Sequence, residues 1–416
     1  MALRVLHIAD IHLDTSFQCS PGLQTVLRDL QQDALIAAVN LAIKEQVHGV
    51  LIAGNLHNND NLSFHTEALL TQQFKRLLER GIAVCYARMP KDYACASPWV
   101  PPTGTQVFDG EPRTITLYDA TSHPVGVVCG LGCSATHSVH PAGLFPPRVS
   151  KLPTVGMMPT TLDTADDENA CLPCTVSQLE QLRYDYWALG NNPQRKTLGF
   201  DQRIHYPGCL IGHHPWETGS KGVSLVDIAD NGAVTLRFVP LTPVVWADIV
   251  LGNLTEYTSL YGIISAAVRK MEEAAALSPG AKLLARIQLT GPAACFDELC
   301  GQLGQDILGE MGKEICARTG AMDVWVEADR LAPNIAPEPF RDAAHVLSEA
   351  MNVLDDAALY DEIADAVIDQ AAREYGLFGQ HASRQETRKY VRSLIGNLDT
   401  LLCQKMLKNP GNDENP

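Results

Sequence analysis

Short apolar stretches recur along residues 3–240, and several of them are separated by segments with helical periodicity. The apolar stretches end in polar residues, glycine or proline, which is typical of strands in a folded core. The predicted strands are Arg4–Ala9, Gly49–Ala53, Ala83–Ala87, Thr114–Tyr118, Val125–Gly130, Thr154–Met158, Tyr186–Leu189, Val223–Ile228 and Val234–Val239. Alternation of strands with helices predicts a layered α/β domain.

Helical periodicity is clearest over Gly22–Gln46, where apolar residues recur at intervals of three and four. Two further helices are predicted over Phe64–Glu79 and Val176–Arg183. The stretches 97–105 and 133–153 are rich in proline and glycine and are predicted to be long loops near a functional edge.

A second unit begins after Leu241. A helix over Leu260–Ala276 and the strands KLLARIQLTG and MDVWVEAD predict a small α+β cap domain over 242–330. The Pro-rich stretch LAPNIAPEPF then indicates a linker. Amphipathic helices are predicted over Arg341–Tyr375 and Gln385–Lys408, so three regions are expected: 1–241, 242–330 and a C-terminal helical region, 331–416.

Composition narrows the classes of protein to consider. The chain has 416 residues, 46% of them hydrophobic, and a formal charge of −16. This charge argues against a strongly nucleic-acid-binding surface of its own, since phosphate contacts need clustered Lys and Arg. The sequence has neither a membrane-length apolar run nor a signal peptide, so a cytoplasmic protein without membrane contact is expected.

The C-x-x-C pair Cys171 and Cys174 is expected to be two ordinary buried thiols rather than half of a metal or redox site.

The first predicted strand ends in HIADIHLD. Asp10 and His12 stand two residues apart at the carboxyl end of this strand, so both side chains can point into one pocket. One carboxylate and one imidazole suit a divalent cation. A D-x-H pair taken alone is also common in solvated turns, so further motifs are needed to decide between the two interpretations.

Five further stretches of the chain provide additional motifs. In order, they are GVLIAGNLHNND, AVCYARMPKDY, TVGMMPTTLD, DYWALGNNPQR and YPGCLIGHHPWETGSKGVSLVDI. Together with HIADIHLD they resemble the calcineurin-like metallophosphoesterases, and in particular the SbcD and YhaO group of DNA-repair exonuclease subunits. The resemblance covers residues 3 to about 240. It implies a four-layer α/β/β/α sandwich followed by an α+β cap domain and C-terminal helices.

In that family, ligands at the strand ends hold two divalent metals, usually manganese, and a histidine serves the leaving group. The resemblance places this chain's residues at those positions as follows. Asp10 and His12 match the D-x-H pair, whereas the other positions hold Asn55 for the bridging aspartate, Pro90 for an asparagine, Lys91 for the catalytic histidine, and Pro159, Asn191 and Pro193 for the remaining histidines.

These replacements predict a degenerate metal site. Proline has no side-chain donor, and an asparagine lacks the charge of aspartate and the basicity of histidine. The expected cofactor content is therefore none, or one weakly bound manganese or magnesium at Asp10, His12 and Asn55. New ligands from His57, His205, His213 or His214 are an alternative, although exposed loop histidines are favoured. Lys91 is expected to pair with Asp10 or Asp92 rather than to neutralise phosphate, and to be inactive.

The resemblance also implies partners: a coiled-coil, SMC-like ATPase of the SbcC or YhaN type, DNA held through the complex, and a second copy of the chain. Helix Gln385–Lys408 either docks on the ATPase or packs on the cap domain. Three hypotheses follow, in this order: a pseudo-nuclease in a DNA-repair or DNA-defence ATPase complex, an active metal-dependent exonuclease with a remodelled single-metal site, and a small-molecule phosphodiesterase.

Overall fold

The computed structural model describes residues 3–57, 62–92, 99–133, 141–148, 150–163 and 171–335, together with positions 361, 362, 365, 366, 368 and 403. The chain divides into two compact units, Met1–Trp246 with Ser278–Lys282, and Ala247–Leu277 with Leu283–Pro416. Among the described residues, no helix is long and apolar enough to cross a membrane.

The first unit contains strands and helices in the alternating order that the apolar pattern predicts. In chain order they are β1 (Leu3–Ile8), α1 (Gln24–Lys44), β2 (Gly49–Ala53), α2 (Phe64–Leu78), β3 (Ala83–Ala87), β4 (Gln106–Phe108), β5 (Arg113–Tyr118), β6 (Pro124–Gly130), β7 (Thr154–Pro159), α3 (Val176–Gln181), β8 (Tyr186–Gly190), β9 (Lys196–Leu198), β10 (Ile204–Tyr206), β11 (Gly222–Ile228) and β12 (Val234–Pro240).

These strands form two six-stranded sheets. The first has the order β12-β11-β1-β2-β3-β4, and β1 to β4 are parallel in it. The second has the order β5-β6-β7-β8-β10-β9, with β6, β7, β8 and β10 parallel. Parallel strands place their carboxyl ends at one edge of a sheet, so the loops after β1, β2, β3, β7 and β8 are the loops in which a site is expected.

Three apolar clusters show that the unit has four layers. Side chains of the two sheets face each other, including Leu51 from β2 and Val155 from β7. The other face of the first sheet packs on α1 and α2, for example Ile52 against Phe74. The other face of the second sheet packs on α3 and its neighbouring loops, around Trp187. The predicted α/β/β/α sandwich is therefore confirmed.

Two contacts join the sheets close to the carboxyl edge. Gly190 of β8 lies so near β2 that a Cβ atom there would be 1.5 Å from the carbonyl oxygen of Ala53. The imidazole of His7 in β1 is fully buried and is hydrogen-bonded to the Tyr186 hydroxyl (2.8 Å) and the Leu189 carbonyl (3.1 Å), both in β8. The ends of β1, β2 and β8 are thus brought side by side.

Helix starts in this unit follow from local side-chain capping. Ser63 precedes α2, and its hydroxyl accepts a hydrogen bond from the Thr66 N–H. At α3, Thr175 and Gln178 form a reciprocal capping box. Both arrangements satisfy backbone donors that the first helical turn leaves unpaired.

The second unit has a three-stranded sheet with helices beside it. Its elements are β13 (Val244–Leu251), α4 (Leu260–Ala276), β14 (Lys282–Ala293), α5 (Phe296–Cys300), α6 (Gly304–Thr319) and β15 (Asp323–Pro333). The strand order is β13-β14-β15, and Arg286 of β14 makes a two-pronged ion pair with Asp248 of β13. Such fork-to-carboxylate pairs fix the register of neighbouring strands.

Most predicted element positions are confirmed, and the differences have simple causes. The strands β4, β9 and β10 were not predicted, because three residues are too few for a periodic pattern. Strand β15 continues to Pro333, past the start of the predicted linker, because Leu331 and Ala332 are buried and β14 supplies partners for them. The helices predicted over Arg341–Tyr375 and Gln385–Lys408 lie almost wholly outside the described residues.

Candidate functional site

Four polar residues at the carboxyl edge share an unusual backbone conformation. Asp10, His12, Asn55 and Asn191 have φ angles of 50°, 53°, 51° and 75°. Positive φ is uncommon for residues other than glycine, and asparagine and aspartate tolerate it best. The chain therefore turns sharply after β1, β2 and β8, and the three turns meet at the same place.

The carboxylate of Asp10 lies at the centre of this meeting point and is buried. Its Oδ1 accepts hydrogen bonds from the Asn55 side-chain amide (2.8 Å) and the Asn191 backbone N–H (3.1 Å), and its Oδ2 accepts one from the Asn192 N–H (2.9 Å). Three N–H donors thus surround the carboxylate.

Burial dominates the acid–base behaviour of Asp10. Desolvation raises the pKa of the carboxyl to about 6, although the hydrogen bonds from Asn55, Asn192 and Asn191 favour the charged form and lower it. A buried carboxylate needs compensation by a cation or by hydrogen-bond donors. Here the donors are neutral amides, so the compensation is partial.

Asn55 occupies the position at which the resemblance expects a metal-bridging aspartate. Its amide nitrogen donates both to Asp10 and, at 3.3 Å, to the side-chain oxygen of Asn191. The amide nitrogen of Asn191 in turn donates to the Thr161 hydroxyl (3.2 Å). Asn55 therefore turns donor hydrogens, which repel a cation, toward the carboxylate that a metal would bind.

His12 keeps part of a metal-binding geometry. Its Nε2 is 3.9 Å from Oδ1 of Asp10, and its backbone N–H donates to the Asn55 carbonyl (2.8 Å). The imidazole is partly exposed and packs edge-on against the ring of His213 at 5.7 Å. The structure therefore brings together Asp10, His12, Asn55 and Asn191, as the motifs predict.

The three proline positions add no side-chain ligand. Pro159 is the last residue of β7 and pairs with Gly190 of β8, while Pro90 begins a short 3₁₀ turn over Pro90–Asp92. The Pro193 carbonyl is already an acceptor for the Lys221 ammonium (2.9 Å) and the Cys209 N–H (3.3 Å). The side chain of Lys91 lies outside what the structure describes, so its predicted ion pair and inactivity stay predictions.

The closing hairpin holds the turn after β8 in place. Besides Pro193, the Lys221 ammonium contacts the side-chain oxygen of Gln194 (3.4 Å). Glu217, also buried, accepts a hydrogen bond from the His213 N–H (2.8 Å). Lys221 and Glu217 belong to the segment ETGSKG. This segment contributes to the motif resemblance, but the sequence alone does not reveal what the two side chains contact. The Lys221 contacts hold the turn after β8, and the Glu217 contact holds the segment around His213.

Three of the four alternative histidine ligands have hydrogen-bond partners, whereas the buried Nδ1 of His57 makes no hydrogen bond within the described residues. His205 is buried and is hydrogen-bonded to Thr197 (2.9 Å) and Ser224 (2.8 Å), while Nε2 of His213 lies 3.1 Å from the Gln31 amide nitrogen. His57 is buried edge-on to Trp99, and His214 stacks on Trp216. The expectation that these are exposed loop residues is wrong for His57, His205 and His213, since all three are buried.

The donor set does not fit two divalent metals. Where the structure describes the chain, no group of three His, Cys, Asp or Glu residues could hold a metal ion. The first position retains Asp10 and His12, and the second retains amides and prolines. Two adjacent cations need a bridging carboxylate and several anionic or imidazole ligands.

Comparisons with known proteins give one sequence relative of note. The chain is 26% identical over 302 residues to "Uncharacterized metallophosphoesterase YhaO" of Bacillus subtilis (strain 168), and the match covers 70% of this chain and 72% of that protein. No family model matches the sequence. A dimetal phosphatase from Danio rerio was found among solved structures with a TM-score of 0.34 and 10% identity, covering 58% of this chain and 98% of that one.

This relative is named a metallophosphoesterase, and the mixed α/β sandwich agrees with the fold that the motif resemblance implies. The chain is thus similar in sequence to a metallophosphoesterase over 302 residues. Its strand-end turns follow the arrangement that the motifs predict.

Proposed function

We propose that this chain is a catalytically impaired metallophosphoesterase-fold subunit of a DNA-processing complex, a pseudo-nuclease. The observation that carries the proposal is the state of Asp10, whose carboxylate accepts three hydrogen bonds from N–H groups while Asn55 directs its amide hydrogens toward it. Amides thus take the place that cations take in a working two-metal centre. A subunit with this strand-end arrangement and this donor set is suited to binding and assembly.

The chemistry of phosphodiester cleavage supports the same conclusion. Two-metal hydrolases use cations to clamp the phosphate and to lower the pKa of the attacking water. Pro90, Pro159 and Pro193 stand where the resemblance expects ligand side chains. Because proline has no side-chain donor atom, the loss cannot be repaired by rotation of a side chain.

The proposed partner is a coiled-coil, SMC-like ATPase, with DNA bound through the complex and a second copy of the chain as a further partner. The formal charge of −16 supports a division of labour, because the phosphate backbone requires clustered Lys and Arg that the partner would supply. The C-terminal region proposed for docking lies almost wholly outside the described residues.

A second candidate function is a metal-dependent exonuclease with one remodelled metal site. It is favoured by the pair Asp10 and His12, whose Oδ1 and Nε2 atoms are 3.9 Å apart on adjoining left-handed turns. In this case Asp10 would hold a single cation after the Asn55 side chain has rotated. Such a cation would activate water and polarise the phosphate.

The deciding experiment is a manganese-dependent exonuclease assay on end-labelled duplex DNA with the purified chain and the Asp10→Ala variant. The proposal expects no cleavage above background in either. Asp201→Ala, which removes an exposed aspartate outside the site, is the matched control. Cleavage by the native chain and the control that is lost in Asp10→Ala would overturn the pseudo-nuclease and establish the single-metal alternative.

A further inference from the structure

Three sulfur atoms from separate segments meet next to the degenerate site. Met89 follows β3, Cys133 follows β6, and Cys171 lies beyond β7. The Cys171 thiol is 3.4 Å from the thioether sulfur of Met89 and is also hydrogen-bonded to Cys133. Residues far apart along the chain thus place the Cys171 thiol in contact with one thioether and one further thiol.

The sulfur cluster (Met89, Cys133 and Cys171) borders the positions where hard ligands are missing. The Cys171 sulfur is 3.8 Å from the Pro159 carbonyl oxygen, and Met89 directly precedes Pro90. A Cβ atom on Gly54, the residue before Asn55, would lie 2.9 Å from side-chain atoms of both Met89 and Pro159. Soft sulfur ligands therefore lie beside the prolines.

Burial and access also suit a bound ion. Met89 and Cys133 are buried within an apolar cluster of the second sheet, whereas Cys171 is only partly buried. A buried, apolar pocket protects a soft ion from water, and the partly exposed thiol gives it a way in.

We propose that the sulfur cluster binds one Cu(I) ion. Thiolates and thioethers are the ligands that Cu(I) prefers. In the binding step Cu(I) forms bonds to both cysteine sulfurs and accepts a lone pair from the methionine sulfur, while the two thiol protons pass to water. No oxidation state changes. The complex carries one net negative charge, from two thiolates and one monovalent cation.

The distance between the Cys171 and Met89 sulfurs is compatible with a three-coordinate ion. A metal–thiolate bond is about 2.3 Å long, so sulfurs in a trigonal arrangement are about 4 Å apart. The observed 3.4 Å between Cys171 and Met89 needs an adjustment of about half an ångström. Zinc prefers four tetrahedral ligands, and in the described part of the chain no group of three His, Cys, Asp or Glu residues offers it a site.

The C-x-x-C spacing is not the basis of this site. The Cys174 thiol lies 3.4 Å from the Thr160 hydroxyl and is buried. Cys171 instead contacts Cys133, which comes from a distant part of the sequence. Cys174 therefore provides a control thiol from the same motif.

The test is an anaerobic titration of the full chain, kept reduced, with Cu(I) held by a chromophoric competitor such as bicinchoninate. The native chain should withdraw one equivalent of Cu(I). Loss of a group that only supports a metal ligand typically weakens metal binding about 10–100-fold. Cys171→Ser and Cys133→Ser each remove a ligand itself, so each should weaken Cu(I) binding by more than this. Cys174→Ser should bind as the native chain does. Met89→Leu conserves volume and fold, and it should weaken binding at least about tenfold.

Several results would overturn the proposal. The native chain could fail to withdraw Cu(I) from the competitor. Cys171→Ser could bind Cu(I) as tightly as the native chain, or Cys174→Ser could weaken Cu(I) binding as much as Cys171→Ser does. Equally tight binding of Zn(II) in a parallel titration would contradict the selectivity. Formation of a Cys133–Cys171 disulfide in air, without Cu(I) binding by the reduced chain, would show that the contact is a redox pair. All these results are independent of the nuclease assay, since that assay uses manganese and DNA.

Discussion

Replacing Asn55 by aspartate tests whether an amide has taken the place of a metal cation. The side-chain nitrogen of Asn55 donates to Oδ1 of Asp10 at 2.8 Å. In Asn55→Asp an oxygen stands there instead, and two carboxyl groups share one buried position. Like charges at this distance do not both ionise, so one carboxyl must keep a proton.

The size of the effect follows from that proton. An aspartate in the unfolded chain has a pKa of about 3.9, and each pH unit is worth about 1.4 kcal/mol. Holding one carboxyl protonated at pH 7 therefore costs about 4 kcal/mol, and at pH 5 about 1.5 kcal/mol. The folded-state pKa is raised, so the loss of stability grows as the pH rises above about 4. The protonated carboxyl introduced by Asn55→Asp would still donate a hydrogen bond to Asp10, which limits further loss.

The assay is urea unfolding of Asn55→Asp between pH 5 and 7, with and without Mn²⁺. A cation that binds only the folded variant at about 100 times its Kd restores about 2.7 kcal/mol. The native chain should not respond in this way. Asn55→Ala removes the donor without adding charge, so it should lose about 1.5–3 kcal/mol and show no Mn²⁺ response.

A second control adds the same charge in a different setting. The side-chain oxygen of Asn192 accepts a hydrogen bond from the Gln194 N–H (2.9 Å), a contact that a carboxylate also makes. Asn192→Asp should therefore change stability by less than about 1 kcal/mol. If Asn55→Asp were as stable as the native chain at pH 7 without metal, the assigned role of Asn55 would be refuted.

Two further predictions concern the joint between the sheets. Gly190→Ala should destabilise the chain by more than about 3 kcal/mol in urea unfolding, because the added Cβ would overlap the Ala53 carbonyl oxygen. The control Gly309→Ala, in open space on α6, should stabilise the chain by up to about 1 kcal/mol. Equal effects of the two substitutions would contradict the close packing at Gly190. Burial lowers the pKa of His205 to about 4, so its contribution to stability is present above about pH 6.5 and is lost as the pH falls toward 4. In matched titrations His205→Gln should remove up to about 3 kcal/mol of this acid sensitivity, and an unchanged pH profile would disprove it.

The apolar pattern along the chain was sufficient to predict the layered core. Runs such as Gly49–Ala53 and Ala83–Ala87 are apolar throughout and read as strands buried on both faces, and the structure places them in the middle of the first sheet. The three-residue strands β4, β9 and β10 were not predicted, because they are defined by pairing with neighbouring strands and not by a sequence pattern of their own.

The residue types alone also identify positions that cannot supply a side-chain ligand. Pro90, Pro159 and Pro193 have no side-chain donor in any fold, so their inability to bind a metal through a side chain follows from residue type alone. The meeting of Asp10, His12, Asn55 and Asn191 was predictable from the resemblance, which supplied the order and spacing of the strand ends.

What surrounds the Asp10 carboxylate could not be predicted from the sequence. Asn55 and Asn191 are 45 and 181 positions from Asp10, and the direction of their amide hydrogens depends on the positive φ angles and the close approach of Gly190 to β2. The fold likewise places Cys171 next to Cys133, whereas Cys174 contacts Thr160. Hydrogen bonds and sulfur contacts act over a few ångströms, so they are set by which strand ends meet in space and not by spacing along the chain.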